Sequence, residues 1–154
     1  MKDRQKPFRI DKEGIWYFHG VEMIRRDIVF HISSNIARDG SGAYFLDLPE
    51  GPWYIEVEDA PFAVRSFLGE SNPPEILLND GSRECLNPHS LIFDRENNVP
   101  YCLVRQGSFL ARFTRAAYYQ LTAFIDCDSV SGEYYLNIEG SKHCIQYKNR
   151  RDKC

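Results

Sequence analysis

The chain has 154 residues, of which 43% are hydrophobic, and carries a formal net charge of −3 with a pI near 5.8. That length supports one compact domain or two small lobes sharing a core, and the mild acidity excludes a global attraction to nucleic acid or to an anionic membrane surface. No run of about 18 apolar residues occurs, so no transmembrane helix is expected, and the charged start Met1 to Arg9 lacks the apolar stretch of a signal peptide.

In chain order, the first ten residues read as a loose arm. Ile15 to His19 forms a short aromatic strand, and Gly20 turns it into Val21 to Ile24. A helix is expected from about Arg25 to Arg38, with Ile28, Val29, Ile32 and Ile36 as its apolar stripe and Gly40 as its stop. Three strands follow: Ala43 to Leu48, Trp53 to Asp59, and Phe62 to Leu68. A turn at Asp59-Ala60-Pro61 would pair the last two, with Val57 opposite Val64 and Glu56 opposite Arg65.

The proline-rich stretch 69–74 reads as a linker between an N-terminal half-domain, 1–68, and a C-terminal half-domain, 75–145. Asn79-Asp80-Gly81 signals a tight hairpin between Glu75–Leu78 and Arg83–Leu86. Ser90 to Asp94, Tyr101 to Arg105 and Phe109 to Phe113 are further strands. A second helix runs from about Arg115 to Ile125 with Thr114 as its N-cap, and residues 146–154 form a polar, flexible tail.

The strongest signal is internal. Ser41 to Leu48 reads Ser-Gly-Ala-Tyr-Phe-Leu-Asp-Leu, and Ser131 to Ile138 reads Ser-Gly-Glu-Tyr-Tyr-Leu-Asn-Ile. A helix precedes each copy and a hairpin precedes each helix, so superposing 14–48 on 101–138 should align hairpin, helix and strand. The expected fold class is α+β: a duplicated hairpin-helix-strand motif in two mostly antiparallel sheets, each covered by one helix.

No decisive catalytic motif is present. The five cysteines lack C-x-x-C spacing, which argues against structural zinc and fits a reducing cytoplasm with most thiols acting as small hydrophobes; Cys154 ends an exposed tail. The four histidines lack metal-motif spacing, and no P-loop or dinucleotide fingerprint occurs, so neither a metal nor a cofactor is expected. Glu56 and Glu58 share a strand face about 7 Å apart, a spacing that suits a carboxylate pair and equally a solvated sheet face. His143 and Cys144 are strand neighbours whose side chains point apart, and Cys127 lies between two acids, so neither thiol is activated. Catalysis is left open, with the weight against it.

Binding has better candidates. Arg25 and Arg26 begin the first helix, and Arg112 and Arg115 flank the start of the second. Guanidinium groups beside exposed helix amides make an anion site. The alternative is that they are solvated or pair with Asp27, Asp47 or Glu22. The aromatic pairs, Trp16-Tyr17 and Trp53-Tyr54 among them, place one ring outward on each strand, where it can stack a base, anchor a partner or simply cover the sheet.

The segment Ile55-Glu56-Val57-Glu58-Asp59-Ala60-Pro61-Phe62 resembles the bacterial domain-of-unknown-function family numbered twelve eighty-five. Supporting matches are Asp11 to Trp16, Ile24-Arg25-Arg26, Asn79-Asp80-Gly81, Tyr101 with Arg105 and Gly107, Ala111-Arg112 and Tyr118-Tyr119, spanning about residue 8 to residue 138. The connection from Leu48 to Pro52 is shorter than the family's, and a tail is added after Ile145. The resemblance implies a cytoplasmic protein with a duplicated core and a superficially pleckstrin-homology-like second half. It also implies a ligand site near the interface of the halves for a nucleotide-like molecule, and a role in signal transduction.

Together these readings lead to a regulatory module that binds an anionic, nucleotide-like ligand between its halves. Arg25, Arg26, Arg112, Arg115 and Glu58 would be polar contacts, and Trp53 or Tyr101 would meet the ring. The competing expectation is a protein–protein interaction module that uses aromatic sheet faces and strand edges. A membrane or nucleic acid is not an expected partner.

Overall fold

The computed structural model describes residues 6–149. The elements run β1 (Phe8–Ile10), β2 (Trp16–Phe18), β3 (Val21–Glu22), α1 (Arg26–Ser33), β4 (Ile36–Arg38), β5 (Tyr44–Leu48) and β6 (Gly51–Val57). Next come β7 (Phe62–Leu68), β8 (Glu75–Leu78) and β9 (Arg83–Cys85). The chain then continues through β10 (Ile92–Asp94), β11 (Pro100–Val104), β12 (Phe109–Phe113), α2 (Arg115–Thr122), β13 (Ile125–Cys127), β14 (Tyr134–Ile138), β15 (Ser141–Cys144) and β16 (Gln146–Lys148). The class is α+β, with two helices on sheets that are antiparallel except at β1·β6, β10·β16 and β12·β7.

Three sheets replace the two expected, and their order exposes the duplication. The first has the order β3-β2-β1-β6-β5-β4. In the second half, β12-β11-β10-β16 belongs to a seven-stranded sheet and β15-β14-β13 forms the third. If β15 and β16, broken only at Ile145, stand for β6, the two orders are identical. The helices match from Arg26/Arg115 to Ser33/Thr122 without a gap. Both repeats leave the helix by the same bonds: Asn35 N–H to Ile32 O and Asp47 N–H to Asn35 O, against Phe124 N–H to Leu121 O and Asn137 N–H to Phe124 O. The pairs Ile36↔Leu46 and Leu46↔Trp53 recur as Ile125↔Leu136 and Leu136↔His143. Strands β7, β8 and β9 belong to neither repeat, and β7 docks in parallel on β12.

Several expectations are corrected. The helices end at Ser33 and Thr122, and Ile36 and Ile125 open strands instead. Side chains cap the last turn of α1: the Ser33 and Ser34 hydroxyls donate to Phe30 O, and the Asn35 amide donates to His31 O. Gly40 therefore stops nothing.

Of the expected loose arm, residues 8–10 are instead β1, the strand between β2 and β6, with Phe8 and Ile10 buried; residues 1–5 lie outside the described residues. Within the tail, residues 146–148 pair with β10; residues 150–154, with Cys154, lie outside the described residues. β6 does not pair with β7, so Val57 and Glu56 meet Ile10 and Arg9 rather than Val64 and Arg65. The turn at 58–61 carries the chain from one sheet to another. Residues 69–74 form the loop between β7 and β8, two strands of the same sheet. Among the described residues only Cys102 is a buried thiol; Cys85, Cys127 and Cys144 are exposed.

One apolar core runs through both repeats and the insert, from Phe8, Trp16 and Ile55 through Phe62, Phe67 and Ile76 to Val104, Leu121 and Leu136. Thr114 caps α2 as expected, its hydroxyl accepting from Ala117 N–H. Among the described residues no helix is long and apolar enough to cross a membrane.

Candidate functional site

Two loops, one from each repeat, face each other across a cleft. In the loop after β1, the Asp11 carboxylate accepts from the N–H groups of Glu13 and Ile15, both at 2.9 Å, and Gly14 takes a positive φ of 82°. This presents Lys12 and Glu13. In the loop after β10, the Asn97 side-chain oxygen accepts from Val99 N–H at 2.9 Å, and Asn98, at φ 59°, stands where Gly14 stands in the first repeat. The cleft has a volume of about 690 Å³, and its remaining wall comes from the end of β12 and from α2, with Arg112, Arg115, Tyr118 and Tyr119.

Beside the cleft is a buried polar cluster. Arg112 Nη1 lies 2.7 Å from Asp59 Oδ2, and the Tyr101 hydroxyl donates to the same oxygen at 2.6 Å. The Asp59 side chain is only 6% exposed. Burial pushes the Tyr101 phenol up to about 12, and the bond to Asp59 adds to this. For Arg112, burial is the largest single influence and works against the charge, but the bond to Asp59 and the fields of Tyr101, Asp59 and Glu13 together hold the guanidinium above its ordinary value. Arg112 is thus already neutralised by a carboxylate.

Lys12 and Arg115 are not neutralised: among the described residues neither side chain has an ion-pair partner. One carboxylate in the wall, Glu13, opposes these two cations. Tyr118 accepts from the Asn98 amide at 3.4 Å, and burial raises its phenol; Tyr119 is exposed. The cleft therefore offers uncompensated positive charge, amide groups from Asn97 and Asn98, and two phenol rings.

The structure brings some of the sequence candidates together and separates others. Arg112 and Arg115 share the cleft. Tyr101 is fully buried, so its ring offers no face to a ligand. Glu58 lies near the loop after β1, accepting from Lys12 N–H at 3.0 Å and pairing with Arg9 at 3.3 Å. Trp53 is on β6, edge-on to Phe8 with ring centres 6.3 Å apart, away from the cleft. Arg25 spends its charge on Asp27 at 2.7 Å in an exposed pair, and Arg26 lines a different cavity.

Lys12, Asn98 and the Asp59 partner of Arg112 were not singled out from sequence. Asp59 carried only a turn signal, and nothing local shows that its carboxylate reaches across to another sheet.

Two solved structures share this fold. A DUF1285 family protein from Silicibacter pomeroyi DSS-3 superposes with a TM-score of 0.69 at 22% identity, covering 95% of this chain and 81% of that one. A DUF1285 family protein from Shewanella baltica OS155 gives 0.64 at 18% identity, covering 77% of this chain and 91% of that one. They carry the family that the acidic strand-turn segment resembles, and the chain has their fold. No family model and no curated protein matches the sequence.

Proposed function

We propose that the protein is a non-catalytic regulatory module that binds an anionic, nucleotide-like ligand in the cleft between its two repeats. One observation carries the reading: Lys12 from the first repeat and Arg115 from the second, each without a carboxylate partner among the described residues, line one cleft with Tyr118 and Tyr119. Charge-assisted bonds from two cations favour a phosphate, and phenol rings favour a planar base. A ligand touching both repeats would report its concentration through the stability of the whole molecule, which accords with the signalling role the family resemblance implies.

A thermal-shift screen against nucleotides, cyclic dinucleotides, phosphosugars and inorganic anions tests this. The expected result is a saturable rise with a phosphate-bearing compound, with affinity about tenfold weaker in Arg115→Ala. No shift from any of them would remove the reading.

A second reading is favoured by a specific surface. Phe18, Val21, Ile24 and Ile28 are exposed together around an apolar groove beside β3, an edge strand. A protein partner seated there would make the module an adaptor.

A further inference from the structure

We propose that the first repeat holds a second binding site, which shares only Glu13 with the cleft, for a small zwitterion of the α-amino-acid class. The site is a cavity of about 430 Å³, within the range of small-molecule pockets.

The duplication identifies it. Glu13, Gly14 and Ile15 line this cavity where Asn97, Asn98 and Val99 line the cleft, and Arg26 and Val29 line it where Arg115 and Tyr118 do. Both cavities therefore lie between the same loop and the same helix start, one in each repeat. The remaining wall differs: the cleft is closed by Lys12 and Glu13, and this cavity by Arg65 of β7 and by Asn79 and Asp80 of the β8–β9 turn.

The wall chemistry differs too, and it selects the ligand. Arg26 and Arg65 supply two guanidinium groups, and Glu13 and Glu22 supply two carboxylates. Among the described residues none of the four has an ion-pair partner. A third acid, Asp80, is already engaged by Ser33, Ser82 and Arg105. Trp16, only 2% exposed, forms part of the wall and places an indole ring beside the four charges. A phosphate would meet the repulsion of Glu13 and Glu22. A molecule with a carboxylate for the arginines and an ammonium for the glutamates satisfies both signs.

Trp16 and Trp53 are the only tryptophans, so Trp53→Phe leaves Trp16 as the sole indole reporter. Titrating this variant with each common amino acid to millimolar concentration, and with adenosine monophosphate and inorganic phosphate alongside, should give a saturable change in Trp16 emission for an amino acid. The affinity should fall about tenfold in Arg65→Ala and in Glu22→Gln, both exposed positions whose folding is checked by thermal melting. Arg115→Ala, the variant that tests the cleft, should leave this titration unchanged. The proposal is overturned if no amino acid gives a saturable change, if the change survives both Arg65→Ala and Glu22→Gln, or if the phosphate compounds alone produce it.

Discussion

Asp39 and Asp128 show what the duplication preserves at the scale of single residues. Each sits just after the strand that follows its helix, and each carboxylate ties down the next turn. Asp39 accepts from the Ser41 hydroxyl at 2.7 Å, the Tyr54 hydroxyl at 3.0 Å and the N–H groups of Ser41 and Ala43; Asp128 accepts from the N–H groups of Val130 and Ser131. These bonds, that of Ser41 first, hold the Asp39 carboxyl at about 2, below its ordinary 3.8, and the amides of Val130 and Ser131 lower Asp128. A depressed folded value means the stabilisation is complete above 3.8 and is lost as pH falls through about 2. Asp39→Asn should therefore melt lower than wild type at neutral pH and lose less of its melting temperature on acidification across that window. Parallel melting curves against pH would contradict this. The Arg112–Asp59 pair makes a different prediction. Arg112→Ala leaves a carboxylate that is 6% exposed without its cation and should cost about 3 kcal/mol in urea unfolding. Exposed Arg115→Ala should cost less than about 0.5 kcal/mol while weakening anion binding.

At the scale of elements, the sequence shows local order well and long-range pairing poorly. The β7 limits, the Asn79-Asp80-Gly81 turn and the Thr114 cap were all legible, because turn and cap chemistry is local. The repeated octapeptide pointed to two equivalent units, and the matching strand orders bear that out. The helix ends were misread because Ile36 and Ile125 continue a helical period while starting strands. The β1 strand was missed because three residues carry too little pattern, although it occupies the interior of a sheet. The partner of β6 was misassigned because a short turn implies a hairpin, whereas this one switches sheets. The cleft was half legible: the arginines beside a helix start stand out, but Lys12 reaches it only through a parallel β1·β6 pairing that no local pattern encodes. The packing of the β1–β2 loop on the insert is testable at Gly14. A Cβ there would lie 2.5 Å from Ala63 Cβ and 2.9 Å from Asn79 Cβ, in a backbone region that non-glycine residues avoid. Asn79 also donates to Gly14 O at 2.8 Å. Gly14→Ala should destabilise by about 2–3 kcal/mol, and a melting temperature unchanged from wild type would show that the loop is free to move.

For the whole molecule, the insert is the joint between repeats. Asp80, at the β8–β9 turn, accepts from Ser33 of the first repeat at 2.7 Å and from Ser82 at 2.6 Å, and it pairs with Arg105 of the second repeat. Arg105 also lies over the Phe62 ring, 4.9 Å from its centre. One fully buried carboxylate thus bonds to groups of all three parts, and its removal orphans a guanidinium that is itself mostly buried. Asp80→Ala should cost about 3–5 kcal/mol. It should also loosen both cavities, since each draws walls from more than one part.

An anionic, ring-bearing ligand held in the cleft between repeats would perturb a defined set of backbone amides. Amide chemical-shift mapping of the labelled protein, titrated with the phosphate compound that gives the largest thermal shift, tests it most directly. Saturable shifts should concentrate at Lys12, Glu13, Asn98, Arg115 and Tyr118, and that pattern should be lost in Arg115→Ala. Shifts centred instead on Phe18, Val21 and Ile28, or persisting unchanged in Arg115→Ala, would contradict it.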